Sequence, residues 1–258
     1  MANLRSVRRE ESAGIRVRML VATLVAGAAL MTGCGGGDEE ESTTASTSST
    51  TSTTTTTEVE LDENGYPPLA YVQPLIGHVP EGIELDGREG TPPEAPGETD
   101  LEAAAEAASC ELQLDLPDEG NAHFADEDKE VDYETSPPTS GDHYAGNESG
   151  SGALADGAYL ETPAITRVVH SQEHGRVVIH YSPDLSEEEQ LEIKGVFEED
   201  PAGAILIPNA DMPYEVAVTA WTQLVGCGEY EGATTLDVVA AFRDVYRGKG
   251  PERFPIEL

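Results

Sequence analysis

The segment Thr162-Pro163-Ala164-Ile165-Thr166-Arg167-Val168-Val169-His170-Ser171-Gln172-Glu173-His174-Gly175-Arg176-Val177-Val178-Ile179-His180-Tyr181 decides how this chain is read. Thr162-Pro163 has the form of an N-cap followed by proline at the first helical position. Ile165, Val168 and Val169 recur at helical spacing, and Gly175 stands where a left-handed residue ends a helix. Arg176 to Tyr181 is a β-branched, apolar run typical of a buried strand. The expectation is therefore helix, glycine stop, strand. The β-branched pair Val168-Val169 leaves a hairpin turning at Gln172–Gly175 as the alternative.

Working outward, Ser186 with Glu189 three residues later forms a capping box, and Leu191, Ile193, Val196 and Phe197 carry a helix to about Glu199. Ala204-Ile205-Leu206-Ile207 reads as a short buried strand. Glu215 to Trp221 reads as another, which Thr222 to Tyr230 extends or pairs with. Leu236, Val239, Ala240, Phe242, Val245 and Tyr246 give a last amphipathic helix ending near Gly248. Upstream, Gly157–Glu161 is a short strand, Cys110–Asp156 is rich in turns, and Asp100–Ala108 forms a short helix. This order predicts an α/β fold, with α+β as the variant, in which helices pack on a mixed sheet. It resembles the later part of a thioredoxin-like arrangement, including a proline before the penultimate strand but without a Cys-x-x-Cys pair.

The front of the chain has a different character. Arg5, Arg8, Arg9, Arg16 and Arg18 precede an apolar run, Met19–Met31, too short for the ~20 residues of a spanning helix. Basic flank, apolar run and Thr32-Gly33-Cys34 together resemble a lipoprotein signal, in which Cys34 is lipidated and becomes the mature N-terminus. Residues 1–33 are then signal peptide. Residues 34–57, glycine and acid followed by Ser and Thr, form a disordered tether with no apolar surface to offset ordering entropy. Residues 58–109 are an acidic, Pro/Gly-rich extension, and residues 110–258 are the compact domain. The expected location is the outer face of the cell membrane, anchored by lipid.

The formal net charge is −36. Such a chain repels phosphates, so a nucleic-acid partner is excluded. The acidity serves solubility or attracts cations. With Cys34 assigned to lipid, Cys110 and Cys227 remain, and in an oxidising compartment such a pair forms a disulfide. A Gly-x-Ser-x-Gly elbow, a phosphate-binding glycine loop and the glycine and spacing of a calcium loop are all missing.

The chemistry concentrates in three histidines and one acid. In a helix, His170 and His174 stand on one face with Cβ atoms roughly 5–6 Å apart. His143 follows the Pro137-Pro138-Thr139-Ser140-Gly141 turn, and His180 lies on the following strand. Neutral imidazole is the commonest ligand for zinc and copper. His143, His170 and His174 therefore form a candidate transition-metal site, with His180 as a further possibility. Glu173 is a fourth ligand, a base or a hydrogen-bond partner that fixes a tautomer. His170 to His174 also matches the inverted zinc-protease pattern His-x-x-Glu-His, although Gly175 ends the helix that motif needs.

Pro137-Pro138-Thr139-Ser140-Gly141 with His143, Val169 to Gly175 with Val177-Val178-Ile179, and Thr219-Ala220-Trp221 together resemble the bacterial family called domain of unknown function 3105. The resemblance covers about Cys110 to Pro251. This chain has Asp142 and Gln172 where that pattern usually has proline and leucine. The resemblance implies an envelope-facing or membrane-attached protein and supplies no reaction. Three functions follow as expectations. The first is a lipid-anchored binding domain with a histidine-based metal or small-ligand site. The others are a metal-dependent hydrolase using Glu173 as base, and a non-catalytic envelope module whose histidines brace the fold.

Overall fold

Gly175 adopts φ 81°, and this left-handed residue divides the decisive segment as its sequence predicts. Helix Ile165–Glu173 ends on His174 as C-cap, and strand Val177–Tyr181 follows. The hairpin alternative is not adopted. The computed structural model describes residues 77–147, 150–252 and 254. Cys34, the signal, the Ser/Thr tract and the rest of the chain up to residue 76 lie outside the described residues, as do Glu148 and Ser149.

The described elements are β1 (Glu111–Gln113), β2 (His123–Phe124), β3 (His143–Tyr144), β4 (Gly146–Asn147), β5 (Gly150–Ser151), β6 (Gly157–Ala158), β7 (Val177–Tyr181), β8 (Ala204–Pro208), β9 (Val216–Ala220) and β10 (Gln223–Cys227). The four described helices are α1 (Leu101–Ala107), α2 (Ile165–Glu173), α3 (Glu187–Glu199) and α4 (Ala233–Tyr246). Six strands form one mixed sheet in the order β1-β10-β9-β7-β8-β6. The neighbours β7, β8 and β6 run parallel, and β9, β10 and β1 add as antiparallel neighbours. The chain is thus an α/β protein. Among the described residues no helix is long and apolar enough to cross a membrane.

Local chemistry accounts for most boundaries. The Ser186 hydroxyl accepts from Glu189 N, while the Glu189 carboxylate accepts from Ser186 N, closing the capping box that starts α3. Asp100 caps α1 by accepting from Ala103 N. Thr162 does not cap α2. The helix starts later, at Ile165 after Ala164, which makes no side-chain cap bond, and the Thr162 hydroxyl donates instead to Pro208 O at 2.8 Å. The Thr162 side chain is thus turned to the end of β8 and not to the first amides of α2.

The strand period of two sends alternate side chains to two cores. Val177 and Ile179 of β7, Leu206 of β8 and Val218 of β9 meet Ile193, Val196 and Phe197 of α3 and Val238, Val239 and Phe242 of α4. Leu101, Ala104 and Ala105 of α1 join this core, so it takes in residues on the N-terminal side of Cys110. On the other face, Val178, Ile205 and Ile207 pack with Leu154, Tyr159 and Val168, and Ile165 of α2 lies against them. Cys110 and Cys227 are joined by a disulfide across 117 residues. It ties the residue before β1 to the end of β10.

Candidate metal centre

Helix α2 is polar in its second half yet almost wholly inside the protein. Thr166 through Glu173 are all buried. A buried polar helix needs a partner for each group, and those partners build the site. Gln172 Nε2 donates to Pro138 O at 3.1 Å and to Thr219 Oγ1 at 2.8 Å, tying α2 to the Pro-Pro turn and to β9. Ser171 Oγ donates to Arg167 O and accepts from Leu154 N. Arg167 is buried with its guanidinium over the Tyr144 ring, and its Nε lies 2.6 Å from Glu127 Oε1. Arg167 holds the Glu127 carboxyl below its usual range and so fastens Glu127 to α2.

Four ligand-type side chains converge beside α2: His123, His143, His170 and Glu173, each offering one atom within 4.8 Å of the others. His143 sits on β3, which pairs in parallel with β2 so that His123 and His143 are direct neighbours. Backbone bonds hold this two-strand unit, His143 N to Ala122 O at 3.0 Å and Ala145 N to Phe124 O at 2.8 Å. Asp142 adds a side-chain tie, accepting from Ala122 N at 3.1 Å. Asp142 thus anchors the strand that carries His123.

The tautomers follow from the backbone. His143 Nδ1 donates to Gly141 O at 2.8 Å, and His170 Nδ1 donates to Tyr144 O at 2.7 Å. In the neutral rings the lone pairs are then on Nε2. An imidazole held through a carbonyl in this way is the usual setting of a metal-bound histidine. His143 Nε2, His123 Nε2 and Glu173 Oε2 form a triangle with sides of 3.0, 3.1 and 3.3 Å. Nitrogen and oxygen ligands about 2.0–2.1 Å from a tetrahedral zinc stand about 3.3 Å apart, so the triangle has the dimensions of one face of such a site. Lone pairs this close repel unless a proton or a metal cation lies among them.

The electrostatics agree. Burial, with the neighbouring His143, pushes the His170 imidazole down to about 4, which keeps it neutral and ligand-competent at ordinary pH. Burial alone would raise the Glu173 carboxyl. The His143 hydrogen bond and the nearby imidazoles outweigh it and hold Glu173 below its usual range, as a carboxylate. Glu173, His143 and His170 are buried, whereas the His123 side chain is 37% exposed. The solvent side of the cluster is therefore at His123.

The structure brings together three of the expected residues, His143, His170 and Glu173, and adds His123. His174 is not among these four. The spacing of four does place it beside His170, but its ligand atom is not gathered with those of His123 and His143. Its ring stacks on His170 at 4.6 Å between centroids, and it groups with Glu173 and the tail residue Glu252. His180 is elsewhere: fully buried on β7, it pairs with Thr219 Oγ1 at 3.0 Å and with Asn209 at 3.3 Å. Trp221 is buried with its ring edge-on to His143 at 6.4 Å.

His123 gave no signal in the sequence, because it lies in an irregular acidic stretch on a two-residue strand. Its alignment with His143 exists only once β2 and β3 pair.

Residues 124–254 match the family described as Protein of unknown function (DUF3105). The matched range includes His143, His170, Glu173 and Glu252, and begins one residue after His123. No curated protein and no solved structure matches the chain.

Proposed function

The chain belongs to the DUF3105 family, and from that premise we propose that it is a lipid-anchored, outward-facing protein that binds one divalent transition-metal ion. His123, His143, His170 and Glu173 are the ligands. The observation that carries this reading is the triangle of three ligand atoms with sides of 3.0–3.3 Å. A proton could bridge one of these pairs but not all three. Nitrogen-rich donors with one carboxylate suit zinc or copper rather than magnesium or calcium. The anchoring at Cys34 rests on the signal-like sequence before it, and the disulfide fits an oxidising compartment.

Metal analysis of the purified full chain, with thermal melts before and after chelation, tests the metal reading. Bound zinc or copper near one equivalent, and a melting temperature that falls on chelation and returns with metal, is the expected result. A ligand at 100 times its Kd stabilises by about 2.7 kcal/mol, which is readily seen in a melt. A metal-free protein indifferent to both ions would leave the histidines as braces of the fold.

The hydrolase reading is favoured by one feature, the solvent-facing edge at His123, through which water can reach the cluster. Against it, Glu173 Oε2 lies within 3.0–3.3 Å of two ring nitrogens and is spent as a ligand.

A further inference from the structure

The four-residue cluster uses only one oxygen of Glu173. The other, Oε1, is buried with no hydrogen-bond partner. So is Nδ1 of the adjacent His174. A buried carboxylate oxygen and a buried imidazole nitrogen without donors are both costly, and here they belong to consecutive residues beside one carboxylate. Glu252 completes the group: its Oε2 is 3.8 Å from His174 Nδ1, too long for a hydrogen bond, and the ligand atoms of Glu173, His174 and Glu252 lie within 4.8 Å of one another.

Glu252 is delivered there by the chain's tail. Gly248 N donates to Gly175 O at 2.8 Å and Glu252 N donates to Glu173 O at 3.0 Å, pinning the tail across the end of α2. Between them Gly250 passes so close that a Cβ would stand 2.2 Å from Glu173 O. Phe254 closes the outer side, its ring edge-on to His174 at 4.1 Å. The nearby Arg176 charge is matched by Asp156 at 3.0 Å.

We propose that Glu173 is a bridging carboxylate and that this protein holds two cations: one among His123, His143, His170 and Glu173 Oε2, and a second among Glu173 Oε1, His174 Nδ1 and Glu252. The proposal rests on the single-metal reading above. The second position has two carboxylates and one nitrogen, so it takes a harder or more weakly held divalent ion such as manganese or zinc. It also has fewer protein ligands, which leaves room for water or a small anionic ligand.

The test is the stoichiometry of Zn(II) bound by the full chain, compared with Glu252→Gln and His174→Ala. Two tight equivalents in the parent chain, falling to one in each variant, is the expected result. The half-exposed Glu252 side chain makes E252Q the variant that keeps the fold, verified by an unchanged chelated melt. One equivalent in both the parent and E252Q overturns the second position and leaves the first standing. Two tight equivalents retained in E252Q and in H174A overturn it as well, since the second ion then lies elsewhere on this acidic chain. No tight equivalent in any form overturns both readings.

Discussion

Tyr144 O accepts the Nδ1 hydrogen of His170 at 2.7 Å. Strand β3 therefore does two things in two residues: His143 supplies a ring nitrogen, and Tyr144 sets the tautomer and orientation of a histidine on a different element. In the proposed site, replacing either His143 or His170 would remove a bond to the ion itself. His143→Ala and His170→Ala should each weaken zinc binding by more than the 10–100-fold typical of lost outer-shell partners. His180→Asn, remote from the cluster, should leave affinity within a few-fold of the parent. Competition with a chromophoric chelator measures all three. Equal affinity in H143A and the parent would remove the proposed site.

The buried His180 makes stability depend on pH in a defined direction. Burial pushes its imidazole from the ordinary 6.5 down to about 3. Between those values the unfolded chain carries a proton that the folded chain refuses. Stability from this group is thus intact above pH 6.5 and declines on acidification towards pH 3, by about 1.4 kcal/mol per pH unit for one proton. Urea midpoints across that range, with chelator present, should fall more steeply for the parent than for H180N. Parallel slopes would count against the assignment.

The disulfide closes a span of 117 residues between Cys110 and Cys227. In the chain-entropy account such a loop constrains the unfolded state by about 4–5 kcal/mol. The Cys110→Ala, Cys227→Ala double variant should lose stability of that order, read as a lower urea midpoint, and the parent should match it once reduced. A midpoint unaffected by reduction would show that the bridge is not formed.

Gly250→Ala tests the seating of the tail. The added Cβ would stand 2.2 Å from Glu173 O and 2.4 Å from Gly175 N, both backbone atoms that cannot swing aside. The tail should lift, and the amides of Gly248 and Glu252 should lose hydrogen-exchange protection while β7 and β8 keep theirs. Retained protection at both amides would mean the tail is not held as described.

Much of this was legible from residues alone, for local reasons. Gly175 after an apolar period of 3.6, Ser186 with Glu189, and the β-branched run at Val177 each encode their element within a few residues. His143, His170 and Glu173 stood out as ligands by type and proximity to turns and helix ends. What was hidden is non-local. His123 joins the His/Glu cluster only through pairing of two two-residue strands, and Glu252 approaches Glu173 and His174 only through the tail's return to α2. Thr162 is no cap because the helix starts three residues later, and its hydroxyl donates to a carbonyl 46 residues away in sequence. His174 keeps its place beside His170 but groups with Glu252 and not with His123 and His143.

Helix α2 carries Arg167, His170, Ser171, Gln172 and Glu173 inward, with bonds to β3, β9 and the Pro-Pro turn. Such a helix of nine residues has no reason to persist alone in water. Its polar groups find partners only when the sheet and the turn are already assembled. The capacity to hold an ion therefore arises in the same cooperative event as the tertiary structure. In the proposed reading, metal occupancy would mark only chains that have completed folding.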